Sequence, residues 1–273
     1  LLWLALAFSF LLESVSSGRL VLQLAGLLLT AVLTGGFVRL NQRQPLLNLA
    51  VLRNRRFAAL MAGLLIYQSL LLSLSFVLAN YLQVTAGYSA GIAGAFMIPG
   101  ALAAAALAPL SGRLLDKLGA GIPVVAGIAL AFTGLLLLLA ALPKHQLLPM
   151  IACHLLLMTG LGLSNSNLMT CSLNALAPEQ VTDGNAVINT LQQLAGALGT
   201  AAAQIMARCQ TDLGLESGTA WGSYLTLSLL ALLLLLSLVN AWRQLPRTVD
   251  GSLGQTATAK PSQATGKQTE SGS

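Results

Sequence analysis

Apolar runs recur along the whole chain, separated by short polar stretches. After a first run from Leu1 to Leu12, they fall at about 20–40, 57–80, 88–111, 120–142, 147–171, 185–207 and 221–242. Each of these later runs can cross a hydrocarbon core of ~30 Å, which takes roughly 20 residues of helix. Helices are expected because lipid offers no partner to an open backbone donor or acceptor. The first run is too short to span and lacks the basic flank of a secretory signal, so it reads as a partial helix. The short separators predict antiparallel neighbours. From about Arg243 the chain turns to Ser, Thr, Gly, Gln and Lys and cannot bury a core, so residues 243–273 are expected to be a disordered tail.

Composition agrees with a membrane bundle. Of 273 residues, 56 % are hydrophobic and 8 % charged, against about a quarter charged in soluble domains. The net charge of +6 sits between apolar runs, which suits topology control and not a nucleic-acid-binding face. Alternate separators carry Arg39, Arg43, Arg53, Arg55 and Arg56, then Arg113 and Lys117, then Arg243 and Arg247. The others carry only Arg19, Lys144 and Arg208. The richer side is therefore expected in the cytoplasm, together with the tail, with the protein multi-pass in the inner (cytoplasmic) membrane. Cys153 and Cys171 lie 18 residues apart in one predicted helix, about 27 Å, and cannot bridge. They read, with Cys209, as packing residues.

Charge clusters once inside the apolar region, at Gly112-Arg113-Leu114-Leu115-Asp116-Lys117-Leu118-Gly119. Glycine permits a tight turn, and Asp116 stands before the next run, where a carboxylate can meet orphan backbone donors. The cluster reads either as a polar turn that anchors topology or as a latch between helix ends. Gly100, Ala104, Ala108 and Gly112 recur every four residues and form a small-residue ridge for backbone approach. Asn185, Asn189, Gln192, Gly196 and Gly199 share one helix face, polar at one end and small at the other. Its amides either line a cavity or bond helix to helix. Pro99 should kink its helix, as a cavity-shaping feature or a passive one. His154 lies about seven residues into its run, as a wet interfacial histidine or a proton relay.

The cluster resembles the G-x-L-x-D-[RK]-x-G loop of the major facilitator superfamily, in its C-terminal copy. Ala120 and Gly121 depart from the pattern, since the family often has basic residues there. "NYLQVTAGYSAGIAGAFMIPGAL" (80–102), "DGNAVINTLQQLAGALGTA" (183–201) and "PLLNLAVLRNRRF" (45–57) are similar to phrases of the fourteen-helix drug:proton antiporter subfamily, in the same order. The resemblance implies an all-α polytopic bundle. In it, residues 1–44 hold a partial helix and one full helix between two halves, and 45–56 a basic cytoplasmic linker. Residues 57–242 would be the C-terminal six-helix half, with the N-terminal half outside this sequence.

The resemblance also implies roles. The first and fourth helices of the half would line the cavity, the second and fifth would flank it, and the third and sixth would face lipid. Polarity follows that scheme. The 57–80 and 147–171 runs are wetter than the 120–142 and 221–242 runs, as that scheme asks of cavity and lipid-facing helices. Tyr67, Gln68, Ser164, Asn167, Asn189 and Gln192 are the expected cavity residues. Between Asn165 and Asn167, which point apart, the face of Asn167 with Gly160, Ser164 and Cys171 is favoured. Gly100, Ala104, Ala108, Gly196 and Gly199 are the expected packing positions. Gly112, Arg113, Asp116, Lys117 and Gly119 form the expected gating loop.

The implied activity is proton-coupled export of a small amphipathic substrate by alternating access. No run carries a buried carboxylate, so the coupling acid is expected in the other half. No phosphate-binding loop, metal cluster or nucleophile–base set is present, so neither an enzyme nor a cofactor is expected. A same-fold exporter of a siderophore or metabolite is the alternative. A non-transporting membrane scaffold is a weaker one.

Overall fold

The computed structural model describes residue 32 and residues 49–119, 121–208 and 215–245. The expected partial helix, the 20–40 run apart from residue 32, the tail beyond residue 245 and Cys209 lie outside the described residues. Within them the chain forms six long helices and no strand. They are α1 (Arg55–Asn80), α2 (Ala90–Leu118), α3 (Gly121–Ala141), α4 (Leu147–Leu173), α5 (Val181–Arg208) and α6 (Leu215–Gln244).

Local chemistry sets the boundaries. The Asn54 side chain caps α1, accepting from the N–H groups of Arg56 at 3.0 Å and Phe57 at 3.1 Å. Its amide donates to the Ala175 carbonyl at 2.7 Å, fastening the start of α1 to the end of α4. After Asn80 the helix widens through Tyr81–Thr85, and Gly87 turns the chain with φ +71°. Ser89 caps α2 through the Ile92 N–H. Helix α2 ends at Gly119, where φ is 75° and ψ 170°, a conformation open in practice only to glycine.

Five of the helices are long and apolar enough to cross a membrane. Among the described residues α5 does not reach that apolarity, whereas the 185–207 run is expected to be a full span. Asn185, Asn189, Gln192 and Gln193 lower its apolarity, and such a helix is stable in a bilayer only with its polar face against protein or water.

The packing is a row with a backing. Helices α2, α4, α1 and α5 stand side by side, with α3 behind α4 and α6 behind α1 and α3. The α3–α4 contact is backbone against backbone. A Cβ added to Gly134 would stand 2.5 Å from the Leu157 nitrogen, and one on Gly127 would stand 2.8 Å from the Gly160 carbonyl. Outward surfaces of α3 and α6 are leucine-rich and exposed, at Leu136, Leu137, Leu225, Leu232 and Leu236, as a lipid-facing position requires.

Candidate functional site

The six expected cavity residues separate into two groups. Tyr67, Ser164 and Asn167 are inside the half, none more than 1 % exposed. Ser164 donates to the Gly160 carbonyl at 2.7 Å, and its oxygen lies 2.5 Å from the Tyr67 hydroxyl. The single Ser164 proton is thus committed, and Tyr67 is the donor between them. Asn167 donates to the Leu163 carbonyl at 3.1 Å. These three, expected to line a cavity, are covered by neighbouring side chains of this half. On α4 the face of Gly160, Ser164 and Asn167 packs inward, with Leu157, Leu161 and Leu168 on the same side. The uncovered stripe is instead Ala152, Leu155, Ser166 and Thr170.

Gln68, Asn189 and Gln192 remain accessible. Asn189 is exposed, Gln68 and Gln192 half-buried. The Asn189 amide donates to the Asn185 carbonyl at 2.9 Å and to its side-chain oxygen at 3.0 Å, holding the two amides as a pair. The stripe expected to run unbroken from Asn185 to Gly199 changes character along α5, because α5 crosses α1. Gly196 and Gly199 are pressed against α1. A Cβ on Gly199 would stand 2.7 Å from the Ser69 carbonyl, and one on Gly196 would stand 3.1 Å from the Gln68 Cγ. Ser69 donates to the Ala195 carbonyl at 2.7 Å and locks the crossing. Asn185 and Asn189 lie toward the other end, where this face of α5 is uncovered.

The ridge on α2 is likewise used within the half. Gly100 lies on His154 and Met158 of α4, and Ala104 lies on Gly162. Ala108 is half-buried. The ridge ends at Ser111, not Gly112: Ser111 is buried and donates to the Leu163 carbonyl at 2.8 Å, whereas a Cβ on Gly112 would meet nothing within 4 Å. Ser111 was legible as the next position on the same face, seven residues after Ala104.

The expected gating loop is not a loop. Gly112, Arg113, Asp116 and Lys117 belong to the last two turns of α2, and only Gly119 leaves the helix. One glycine among helix formers does not break a helix, and the next glycine adopts the conformation that ends it. Lys117 stands in the last turn, favourably placed at the negative end of the helix dipole. The Asp116 side chain lies outside the described set.

His154 also differs from expectation. It is 2 % exposed, buried against protein and not wet. At the end of the bundle where α1 stops and α4 starts, Tyr81 donates to the Leu142 carbonyl at 2.7 Å and Tyr88 to the His145 carbonyl at 3.0 Å. These two phenols clasp the α3–α4 turn, a role that the sequence reading missed. Among the described residues no group of His, Cys, Asp and Glu could hold a metal ion.

Residues 1–200 match the family described as Major Facilitator Superfamily. Curated relatives agree in kind. The chain is similar to the lincomycin resistance protein LmrB of Listeria monocytogenes, 32 % identical over 182 residues, 66 % of this chain and 39 % of that protein. It is similar to the Bacillus subtilis protein of that name, 33 % identical over 175 residues, 64 % of this chain and 36 % of that one. The multidrug resistance protein Stp of Mycobacterium tuberculosis is 24 % identical over 174 residues, 60 % of this chain and 31 % of its own. The matched stretch thus spans roughly a third to two fifths of these relatives.

Proposed function

This chain belongs to the Major Facilitator Superfamily, and on that premise we propose that its six helices are the C-terminal half of a proton-coupled drug exporter of the fourteen-helix type. The observation that carries the reading is the similarity to lincomycin and multidrug resistance proteins. The exporter moves amphipathic compounds by alternating access, with its cavity between this half and a second one. In this half the accessible amides of Gln68, Asn189 and Gln192 offer donors and acceptors to the polar part of a cargo. Uncovered apolar positions such as Leu72 and Leu155 take its apolar part. The bias of Arg and Lys supports a cytoplasmic location for the ends of α2, α4 and α6.

Gating falls to the junction of α2 and α3. Arg113, Asp116 and Lys117 ride on the last turns of α2, so a tilt of that helix carries all three together. Gly119 fixes the direction in which the chain turns into α3. Rocking of the two halves makes and breaks the contacts of this charged end.

The test is transport by the full open reading frame that encodes this chain, expressed in a drug-sensitive host. Expected is raised tolerance to lincomycin or to a cationic dye, and dye efflux that stops when a protonophore collapses the gradient. Efflux that continues without a proton gradient would remove the coupling. Unchanged tolerance and no efflux, with the protein present in the membrane, would overturn the exporter reading.

A further inference from the structure

Between α2 and α4 lies a buried ionisable group that the exporter reading leaves without a role. His154 is 2 % exposed, and its Nδ1 has no hydrogen-bond partner. The Phe96 ring sits 5.1 Å away, centroid to centroid, tilted by 41°. On the α2 side the ring lies directly on bare backbone: a Cβ on Gly100 would stand 2.6 Å from His154 Cε1 and 2.7 Å from Nδ1. An unpaired buried polar atom is costly, and lipid provides no water to relieve it. Ionisable groups inside membrane spans are retained for function as a rule.

The helix that covers His154 is built to move. Pro99 stands next to Gly100 and has no N–H, so the Ala95 carbonyl lacks its helical donor at the level of the His154 ring. Helix α2 is the least covered of the five spanning helices. Its polar tie to α4, from Ser111 to the Leu163 carbonyl, is 11 residues beyond Gly100, about 16 Å along the helix. The half of α2 that covers His154 is held by apolar contact, and the far half is tied.

We propose that His154 is a proton-binding site of this six-helix half, reached by water when the outer part of α2 pivots away from α4, and that it takes up one proton in that arrangement. The surroundings explain why the two events are joined. Phe96 and Gly100, which lie against the ring, and Met158, which meets Gly100 beside it, are not ionisable. Helix α3 has no titratable side chain. The charged groups of α2 begin at Arg113, 13 residues beyond Gly100, about 20 Å away. Tyr67 of α1 is bound to Ser164, 10 residues from His154 along α4, about 15 Å. Asp183 of α5 and Arg55 and Arg56 of α1 stand at the opposite end of the bundle. Lys144 and His145 stand in the turn before α4, with Tyr81, Tyr88 and Tyr224 around it, and Cys153 is the residue before His154 in the chain. Among the described residues, an imidazolium in the closed contact would have no carboxylate beside it and no access to water. Proton uptake therefore accompanies separation of the helices. The inference deepens the exporter reading and rests on it only in making this proton a coupling ion.

The test reads helix separation in the full chain in lipid nanodiscs. Spin labels are placed through Ile92→Cys on α2 and Leu148→Cys on α4, both exposed, with Cys153, Cys171 and Cys209 changed to Ala. Distances are measured from about pH 8 to about pH 5, across the ordinary histidine range. Expected is a longer-distance population that grows severalfold as the pH falls. It should be abolished by His154→Gln and kept in His145→Gln, which removes the other histidine. His154→Phe, which keeps an apolar ring in the slot, should hold the short distance at both pH values and serves should the glutamine variant fail to fold. Distances indifferent to pH, or growth that survives in both His154 variants, would overturn the proposal. No cargo is needed, so this outcome is independent of the export assay.

Discussion

The Tyr67 hydroxyl and the Ser164 hydroxyl meet 2.5 Å apart in the buried contact between α1 and α4. Their roles are unequal, because Ser164 gives its proton to the Gly160 carbonyl and Tyr67 gives its own to Ser164. Ser164→Ala strands a buried phenol and should cost about 1–3 kcal/mol. Tyr67→Phe leaves Ser164 satisfied and should cost only about 0.5–1.5 kcal/mol. The double variant should cost less than the two singles summed, since it leaves no orphan. Denaturation in detergent micelles gives the order directly. A Tyr67→Phe chain less stable than Ser164→Ala would contradict this assignment of donor and acceptor.

Glycines on this chain do two kinds of work. Gly134→Ala would drive a methyl against the Leu157 backbone. Neither side can yield without parting α3 from α4, so the folded yield in the membrane should collapse. Gly112→Ala meets open space inside a helix and should raise stability by about 0.5–1 kcal/mol. Thermal unfolding in detergent separates the two. If Gly112→Ala folds better but exports less, position 112 serves the moving end of α2.

At the end of α2, conformation and charge can be tested separately. Gly119→Ala forces a side chain into a backbone region reserved for glycine and should cost about 1–3 kcal/mol. Asp116→Asn keeps the helix and should lower export with no change in the amount of protein in the membrane. Transport assays on vesicles matched for protein content decide it. Export at the parental rate by Asp116→Asn would end the gating role of that carboxylate.

Much of the fold was legible because bilayer thickness dictates element length. The 57–80 and 147–171 runs became Arg55–Asn80 and Leu147–Leu173 with shifts of two residues or fewer. What sequence could not give was which polar face of a helix turns inward. Asn165 and Asn167 point apart, and either face of α4 carries hydroxyls. The choice is made by α3, whose Gly127 and Gly134 let it press on the Gly160 side. That contact depends on residues some thirty positions away in the chain, so no local pattern announces it. Helix α5 shows the same limit. Sequence spacing puts its stripe on one face, but the crossing with α1 divides it into a closed glycine end and an open amide end. Charge between Gly112 and Lys117 suggests a loop, but nothing before Gly119 obliges the helix to stop.

The two amide groups give the sharpest test of where cargo binds. Asn189 is exposed on α5, with its amide bonded to Asn185. Asn189→Ala should leave stability within about 0.5 kcal/mol yet raise the cargo concentration needed for half-maximal export. Asn167 is buried and bonded to its own helix. Asn167→Ala opens a void and should cost stability, about 1–3 kcal/mol. Its export per folded molecule should stay near the parental value. Export normalised to folded protein, measured over a range of cargo concentrations, distinguishes a wall of the cavity from a strut behind it. If Asn167→Ala changes the concentration dependence while Asn189→Ala does not, the inward face of α4 reaches the cargo. The open face of α5 then has no part in binding it.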